Sequence, residues 1–336
     1  MLELKPFKSI LDLLKAFPTE QICIAHLETL RWNGNVVSPF DANSKVYKCA
    51  GNKYKCKNTG KYFNVLTGTI FENTKIPLQT WFLAIYLFTV HNKGISSYVM
   101  ATELNITQKS SWFLLSRIRY AMEHENFLMN FDGVVELDET YVGGKNKNRH
   151  KDKKIEGSQG RSGEDKQPVF GMFNDEVSEI IYRPNKNNAA LKPVREKIIQ
   201  EPAVVRMEVV ANVKGETILP IVKNRVEALS TVVTDEFNVY KNLRADYRHE
   251  VVYHRLRNYV TCDGFTSNRI EGVWNILKKA WGTTYMGRVT PKHLHRYCRE
   301  TEYRFNTRHL NTSETFNLLL TGTGKRLRYV DLKNNL

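Results

Sequence analysis

The sequence is short of cysteine, of acidic charge and of long apolar runs, and each shortage closes off a class of protein. Five cysteines in 336 residues, at Cys23, Cys49, Cys56, Cys262 and Cys298, are odd in number and scattered. That rules against a disulfide scaffold and fits a reducing compartment. The most apolar stretch, Trp81 to Val90, is about half as long as a membrane span. The opening MLELKPFKSILDLLKAFP mixes Glu, Asp and Lys into an amphipathic pattern and holds no signal-peptide core. A cytoplasmic chain with no membrane partner is therefore expected. Acidic residues number 35 against 50 basic ones, giving a formal charge of +15 and a pI near 9.5. Such a surplus suits a polyanion, and nucleic acid is the commonest one.

What is present is a globular chain, 41% apolar or aromatic, with room for more than one domain. Three regions differ in texture. Residues 1–75 open with a short helical pattern and continue into loop-rich sequence carrying Cys49, Tyr54, Cys56 and Tyr62. Residues 76–130 turn helical from Pro77, a residue suited to a first helical turn. Residues 131–325 place strand-like runs first and helices last, the pattern of an α/β domain. Within it, residues 143–167 (GGKNKNRHKDKKIEGSQGRSGEDKQ) have almost no apolar side chains and cannot bury themselves. Lys145, Lys147 and Arg149 in that stretch are candidates for contact with a DNA backbone.

Residues Gly94 to Arg119 divide into two short helices around a polar break at Asn105, Ile106 and Thr107. Ile95, Val99 and Leu104 are expected on one face of the first, and Trp112, Leu115 and Ile118 form the apolar stripe of the second. Gln108, Lys109, Ser111 and Arg119 then fall near or on the outside, with Arg117 also available to DNA. A second helix with a polar and basic outer face is what a helix-turn-helix offers the major groove. A plain structural α-hairpin would show similar periodicity.

Three further segments carry acids in positions that require explanation. VVELDETYV (134–142) is an apolar, β-branched run interrupted by Glu136, Asp138 and Glu139, and TVVTDEFNVY (231–240) is a buried-type strand ending in acids at Asp235 and Glu236. SNRIEGVWNILKK (267–279) reads as the start of a helix. A carboxylate at the end of an apolar strand is costly to desolvate unless something positive meets it. Two in one domain suggest a shared cation. Residues 236 to 270, 35 positions, separate Asp235 from Glu271. Lys278 follows Glu271 by seven residues, about two helical turns, so the carboxylate and the lysine share a face. Three carboxylates on separate elements are enough for Mg²⁺, which keeps part of its water. Plainer roles exist for each acid alone: a polar strand end for Asp138-Glu139, a dipole-favouring helix start for Asp235-Glu236, and a capping box for Asn268 with Glu271.

VELDETYVGGK, VVTDEFNVY and SNRIEGVWNILKK resemble the three acidic motifs of bacterial insertion-sequence transposases of the DDE class, in particular the family numbered fifteen ninety-five. NVLTGTIFENTKIPLQTWFLAIYLF (64–88) and HLHRYCRETEYRFNTR (293–308) also resemble that family, so the likeness spans nearly the whole chain in order. The resemblance implies an RNase H-like catalytic domain, a mixed sheet flanked by helices, with Asp138, Asp235 and Glu271 as ligands. Asn268 is a rival at the third position. It implies two Mg²⁺ ions, for which Mn²⁺ can substitute, and cleavage and strand transfer at the terminal inverted repeats of an element and into target DNA. It also implies an oligomer assembled on DNA, nucleoid-associated, with Lys278 and Lys279 touching DNA. The other readings are an inactive transposase-derived DNA-binding protein and a structure-selective nuclease on the same fold. One departure concerns zinc. The family opens with a ribbon of two Cys-x-x-Cys pairs, but this chain has Ser38-Pro39-Phe40-Asp41 and Cys56-Lys57-Asn58-Thr59 there. A structural zinc needs four ligands, so a degenerate, zinc-free ribbon held by Tyr54, Tyr62, Phe63 and Val65 is expected.

Overall fold

The computed structural model describes residues 6–124, 127, 130–143, 151–153, 166–183, 194–253, 260–261 and 263–334. Lys145, Lys147, Arg149 and Cys262 lie outside the described residues. The chain forms two compact units, one of Met1–Leu128, Thr283–Met286 and Leu310–Leu336, the other of Met129–Gly282 and Gly287–His309.

The first unit begins with α1 (Ile10–Ala16) and α2 (Glu20–Trp32), each started by a hydroxyl, Ser9 or Thr19, that accepts a backbone N–H of the first turn. A small antiparallel sheet follows, β1 (Val46–Cys49), β2 (Lys53–Cys56) and β3 (Tyr62–Phe63). Tyr54, Phe63 and Val65 are buried there, whereas Tyr62, expected beside them, is 59% exposed. Its neighbour Phe63 takes the inward position, and in a strand successive side chains point to opposite faces. Beside this sheet Ser38 and Cys56 are buried. Burial alone would raise the Cys56 thiol, but hydrogen bonds with Ser38, Ser44 and Thr59 outweigh it and bring the pKa to about 6.

Helix α3 (Leu78–Val90) is apolar nearly all round and correspondingly buried. Helices α4 (Ser97–Leu104) and α5 (Gln108–Ala121) meet at Asn105, which adopts a left-handed conformation (φ 49°). The inward residues of α4 differ from expectation: Met100 is buried and Val99 is 47% exposed. Ser96 is the cap, which puts buried Ile95 and Met100 at the spacing of a hydrophobic staple and rotates Val99 outward. Arg117 and Arg119 are also placed differently, both being buried. Arg117 donates to the carbonyls of Leu327 and Glu72 and lies over the Phe113 ring, while Arg119 lies over Phe88 and Tyr285. These guanidinium groups satisfy backbone and aromatic partners inside the unit and do not face solvent.

The second unit contains β4 (Val134–Gly143), β5 (Lys166–Asn174), an exposed ribbon of β6 (Val177–Arg183) and β7 (Val194–Glu201), then β8 (Val204–Val209), α6 (Gly215–Arg225), β9 (Thr231–Asp235), β10 (Arg248–Val252), α7 (Asn268–Lys279) and α8 (Pro291–Asn306). The main sheet runs β10-β9-β4-β5-β8. It is mixed: β10 and β4 lie parallel to β9, and β5 and β8 are antiparallel to their neighbours. Period-two alternation fills both faces. Val135, Leu137, Phe170, Met172 and Val232 pack with Ile218 and Val222 of α6 and with Leu243, while Val142, Val169, Phe173 and Met207 pack with Val273, Trp274 and Leu277 of α7 and with Leu294 of α8. The chain then returns to the first unit for α9 (Thr312–Thr321) and α10 (Tyr329–Asn334). Residues from Leu310 on, grouped by texture with the α/β region, belong to the first unit because Phe316 packs against Phe7, Phe17 and Phe82. Among the described residues, no helix is long and apolar enough to cross a membrane.

The edge strand β8 is fastened to α8 by buried charge. Arg299 donates to Glu302 and, at 2.7 Å, to Glu208, while Arg206 reaches both acids. Removing one member strands the others without solvent, which costs roughly 3–5 kcal/mol. Glu302→Ala should therefore lower unfolding free energy by about that amount in a denaturant titration, several times the loss for the exposed pair-breaking Lys214→Ala.

Candidate active site

Strand β4 sends its two kinds of residue to opposite faces. Val135 and Leu137 enter one core, whereas Glu136 and Asp138 face α7. Parallel pairing with β9 sets Glu136 opposite Val233. Two residues on in each strand stand Asp138, midway along β4, and Asp235, the last residue of β9, on neighbouring strands that lie roughly 4.8 Å apart. The backbone N–H of Phe237 donates to Asp235 Oδ1 at 3.0 Å, turning the chain just beyond the strand. Helix α7 then presents Glu271, Asn275 and Lys278, at the i, i+4, i+7 spacing of one helical face.

These residues line a cleft of about 900 Å³ whose walls include Asp138, Glu139, Asp235, Glu236, Glu271 and Lys278. Five acidic residues and one lysine thus line the cleft, in a chain whose formal charge is +15. Asn268, the rival to Glu271, is exposed at the first position of α7 and does not line the cleft. Nor is it a helix cap: the cap position is Ser267, the Asn268 N–H donates to the Thr266 hydroxyl at 2.9 Å, and the next two N–H groups go to Glu136, from Arg269 at 3.2 Å and Ile270 at 3.0 Å. Lys279 is exposed and off the cleft, and Lys109, in the other unit, is exposed with its ammonium over the Tyr329 ring. Among the described residues, no three Asp, Glu, His or Cys side chains are grouped tightly enough to form a coordination sphere as they stand.

Burial, with repulsion from Asp235 and Glu271, pushes the Asp138 pKa up to about 6 although Trp274 opposes the rise. The Trp274 indole Nε1–H donates to Asp138 Oδ2 at 2.8 Å. Gly171, the partner of Asp138 across the β4–β5 ladder, makes this possible. A methyl group there would come within 2.5 Å of Trp274 Cζ2, so only a bare backbone leaves room for the indole. Glu139 on the next position is held from the other face by the Tyr240 hydroxyl at 2.8 Å. Glu136 is buried and pushed up to about 7 by desolvation, against the pull of the α7 N–H groups and Arg269. Sequence reasoning picked out Asp138, Asp235, Glu271 and Lys278, which the fold brings to one cleft, but not Glu136, Gly171, Tyr240 or Trp274. The E-x-D spacing of Glu136 and Asp138, two carboxylates on one strand face, was the available signal for the first.

An all-oxygen donor set suits a hard divalent cation such as Mg²⁺ or Mn²⁺ and not zinc. Without a cation the cleft acids carry a stability cost. Asp138 has a folded pKa above its ordinary 3.8, so its favourable contribution is complete below that value and is lost as pH rises through about 6. In chelator-treated buffer Asp138→Asn should therefore raise thermal stability at pH 8, by about 1–3 kcal/mol, and give much less at pH 4. An equal effect at both values would show that Asp138 carries no such cost.

The ISXO2-like transposase domain model matches residues 130–306, just over half of the chain and nearly all of the second unit. An uncharacterized protein in the transposable element ISH50 of Halobacterium salinarum is 26% identical over 262 residues, covering 74% of this chain and 79% of that one. No solved structure matches. The match places Asp138, Asp235 and Glu271 inside the shared domain, and the chain belongs to the ISXO2-like transposases, the insertion-sequence family numbered fifteen ninety-five.

Proposed function

We propose that the protein is a DNA transposase that binds the terminal inverted repeats of its element and performs divalent-metal-dependent cleavage and strand transfer. The observation that carries this reading is the cleft in which Asp138, Asp235 and Glu271, from two parallel strands and a helix, converge beside Lys278. The five-stranded mixed sheet flanked by helices fits an RNase H-like catalytic domain. Asp138, Asp235 and Glu271 would hold the metal. A pair of Mg²⁺ or Mn²⁺ ions supplies charge neutralisation at the phosphate and an activated oxygen nucleophile.

The chain's own residues divide the remaining work. Trp274 holds one oxygen of Asp138, a residue that lines the cleft. Glu271 and Lys278 share a face of α7, so the lysine would meet a DNA phosphate while the carboxylate would help to hold the metal. In the first unit, α4 and α5 act as a helix-turn-helix and the β1–β3 ribbon as a zinc-free descendant of a zinc ribbon. Lys109 and the polar start of α5, with Gln108 exposed, read the terminal repeats. Lys279 adds a backbone contact, as do Lys145, Lys147 and Arg149 in the basic stretch. Arg117 and Arg119 take no part, being enclosed. Two ends must be paired, so the working form is an oligomer on DNA.

Asp138→Asn and Asp235→Asn should each abolish joining of a pre-cut terminal-repeat duplex to a target plasmid, while band shifts show DNA bound within about twofold of wild type. Joining at near-normal rates by either variant contradicts the assignment. Cleavage without joining by the wild type would instead favour a nuclease, and binding without cleavage an inactive descendant. Lys278→Ala should weaken binding at all sequences alike and flatten the dependence of log K on log salt by about one.

A further inference from the structure

Helix α7 has an unusual start. Its cap position, Ser267, makes no side-chain hydrogen bond to the first turn. The N–H groups of Arg269 and Ile270 point instead to Glu136 Oε2, at 3.2 and 3.0 Å, from the middle of β4. Glu136 is 5% exposed, so this carboxylate has been withdrawn from water to make these bonds. A serine, threonine or aspartate in the local sequence could have closed the helix end at lower desolvation cost. What a local cap cannot do is tie the helix to the strand.

That tie has a consequence for the cleft. Glu136 and Asp138 are two apart on one strand face, and Ile270 immediately precedes Glu271. The hydrogen-bonded pair Glu136–Ile270 is thus one residue from one cleft acid and two from another. Further along the helix, Trp274 meets Asp138, and outside it the Arg269 guanidinium pairs with Asp175, just beyond β5. Of these three anchors only Glu136 grips the backbone of α7, and it does so beside Glu271.

We infer that Glu136 is a positioning residue of the cleft: it holds no substrate and no metal, but its carboxylate sets where α7 carries Glu271 relative to Asp138. This rests on the reading of Asp138, Asp235 and Glu271 as a divalent-cation site. The role is one of geometry, so the oxygen acceptor and its reach matter and the formal charge does not. Glutamine keeps both acceptor and length. Aspartate keeps the charge and falls one methylene short.

The test is Mn²⁺ binding to the full-length protein, followed by the free-ion resonance signal, together with hydrogen exchange at the amides of Arg269 and Ile270. Glu136→Gln should bind Mn²⁺ within about threefold of wild type and keep both amides protected. Glu136→Asp and Glu136→Ala should bind roughly tenfold more weakly, as supporting partners of metal ligands do, and should expose both amides. If Glu136→Ala does not fold, the Asp and Gln pair decides alone. The reverse order, with Asp binding like wild type and Gln weakly, would mean that Glu136 acts through its charge and would overturn the inference. So would wild-type affinity and protection in all three variants. Failure of the wild type itself to bind Mn²⁺ would overturn the cation site and this role together, whereas normal wild-type binding with an indifferent Glu136 removes only the role.

Discussion

Carboxylate repulsion between two neighbouring parallel strands, at Asp138 within β4 and Asp235 at the end of β9, is the constraint to which the second unit is built. Two unit charges about 5 Å apart repel by roughly 3 kcal/mol at the effective dielectric of a protein cleft. Five acids facing one lysine multiply that cost. The fold meets it with neutral donors placed behind the acids: the Trp274 indole on Asp138, the Tyr240 hydroxyl on Glu139 and the N-terminal amides of α7 on Glu136. Each donor eases a carboxylate without filling the cleft. The residual strain is visible in the raised pKa of Asp138, and a cation bound in front of it, as proposed, would relieve it.

The same arrangement separates charge by sign within one molecule. The overall surplus of base lies outside the cleft, while the cleft itself is acidic except for Lys278. Such a surface suits a polyanion by its general charge, whereas the cleft would admit one only with divalent ions in place. On the proposed function, DNA affinity would depend on exposed bases and reaction on the neutralised acids, so that binding and chemistry would be separable. Buried bases belong to neither group. Arg117, Arg119, Arg206 and Arg299 all have partners inside the protein and act as structural struts.

Much of the second unit was legible because its signals are local. The β-branched runs at 134–142 and 231–235 are strands, the segment from Asn268 is a helix, and the acids Asp138, Asp235 and Glu271 that they carry share a cleft. What was not legible depends on pairing between distant segments. Nothing near Gly171 in the chain announces that Trp274 must lie on it, and nothing near Ser267 shows that its helix will be capped from β4. Periodicity also cannot tell which polar residue finds an interior partner, which is why Arg119 reads as an outer-face residue and is 2% exposed. The placement of α9 in the first unit follows from one ring, Phe316, meeting three others far earlier in the sequence.

The central claim is that Asp138, Asp235 and Glu271 together bind divalent cations. Calorimetric titration of Mn²⁺ into the wild type and into Asp138→Asn, Asp235→Asn and Glu271→Gln measures this directly. The account predicts saturable binding of about two ions to the wild type, as two-metal phosphoryl transfer requires, and its weakening by at least tenfold in every one of the three variants. Saturable binding that survives all three substitutions unchanged would place the metal elsewhere and contradict it.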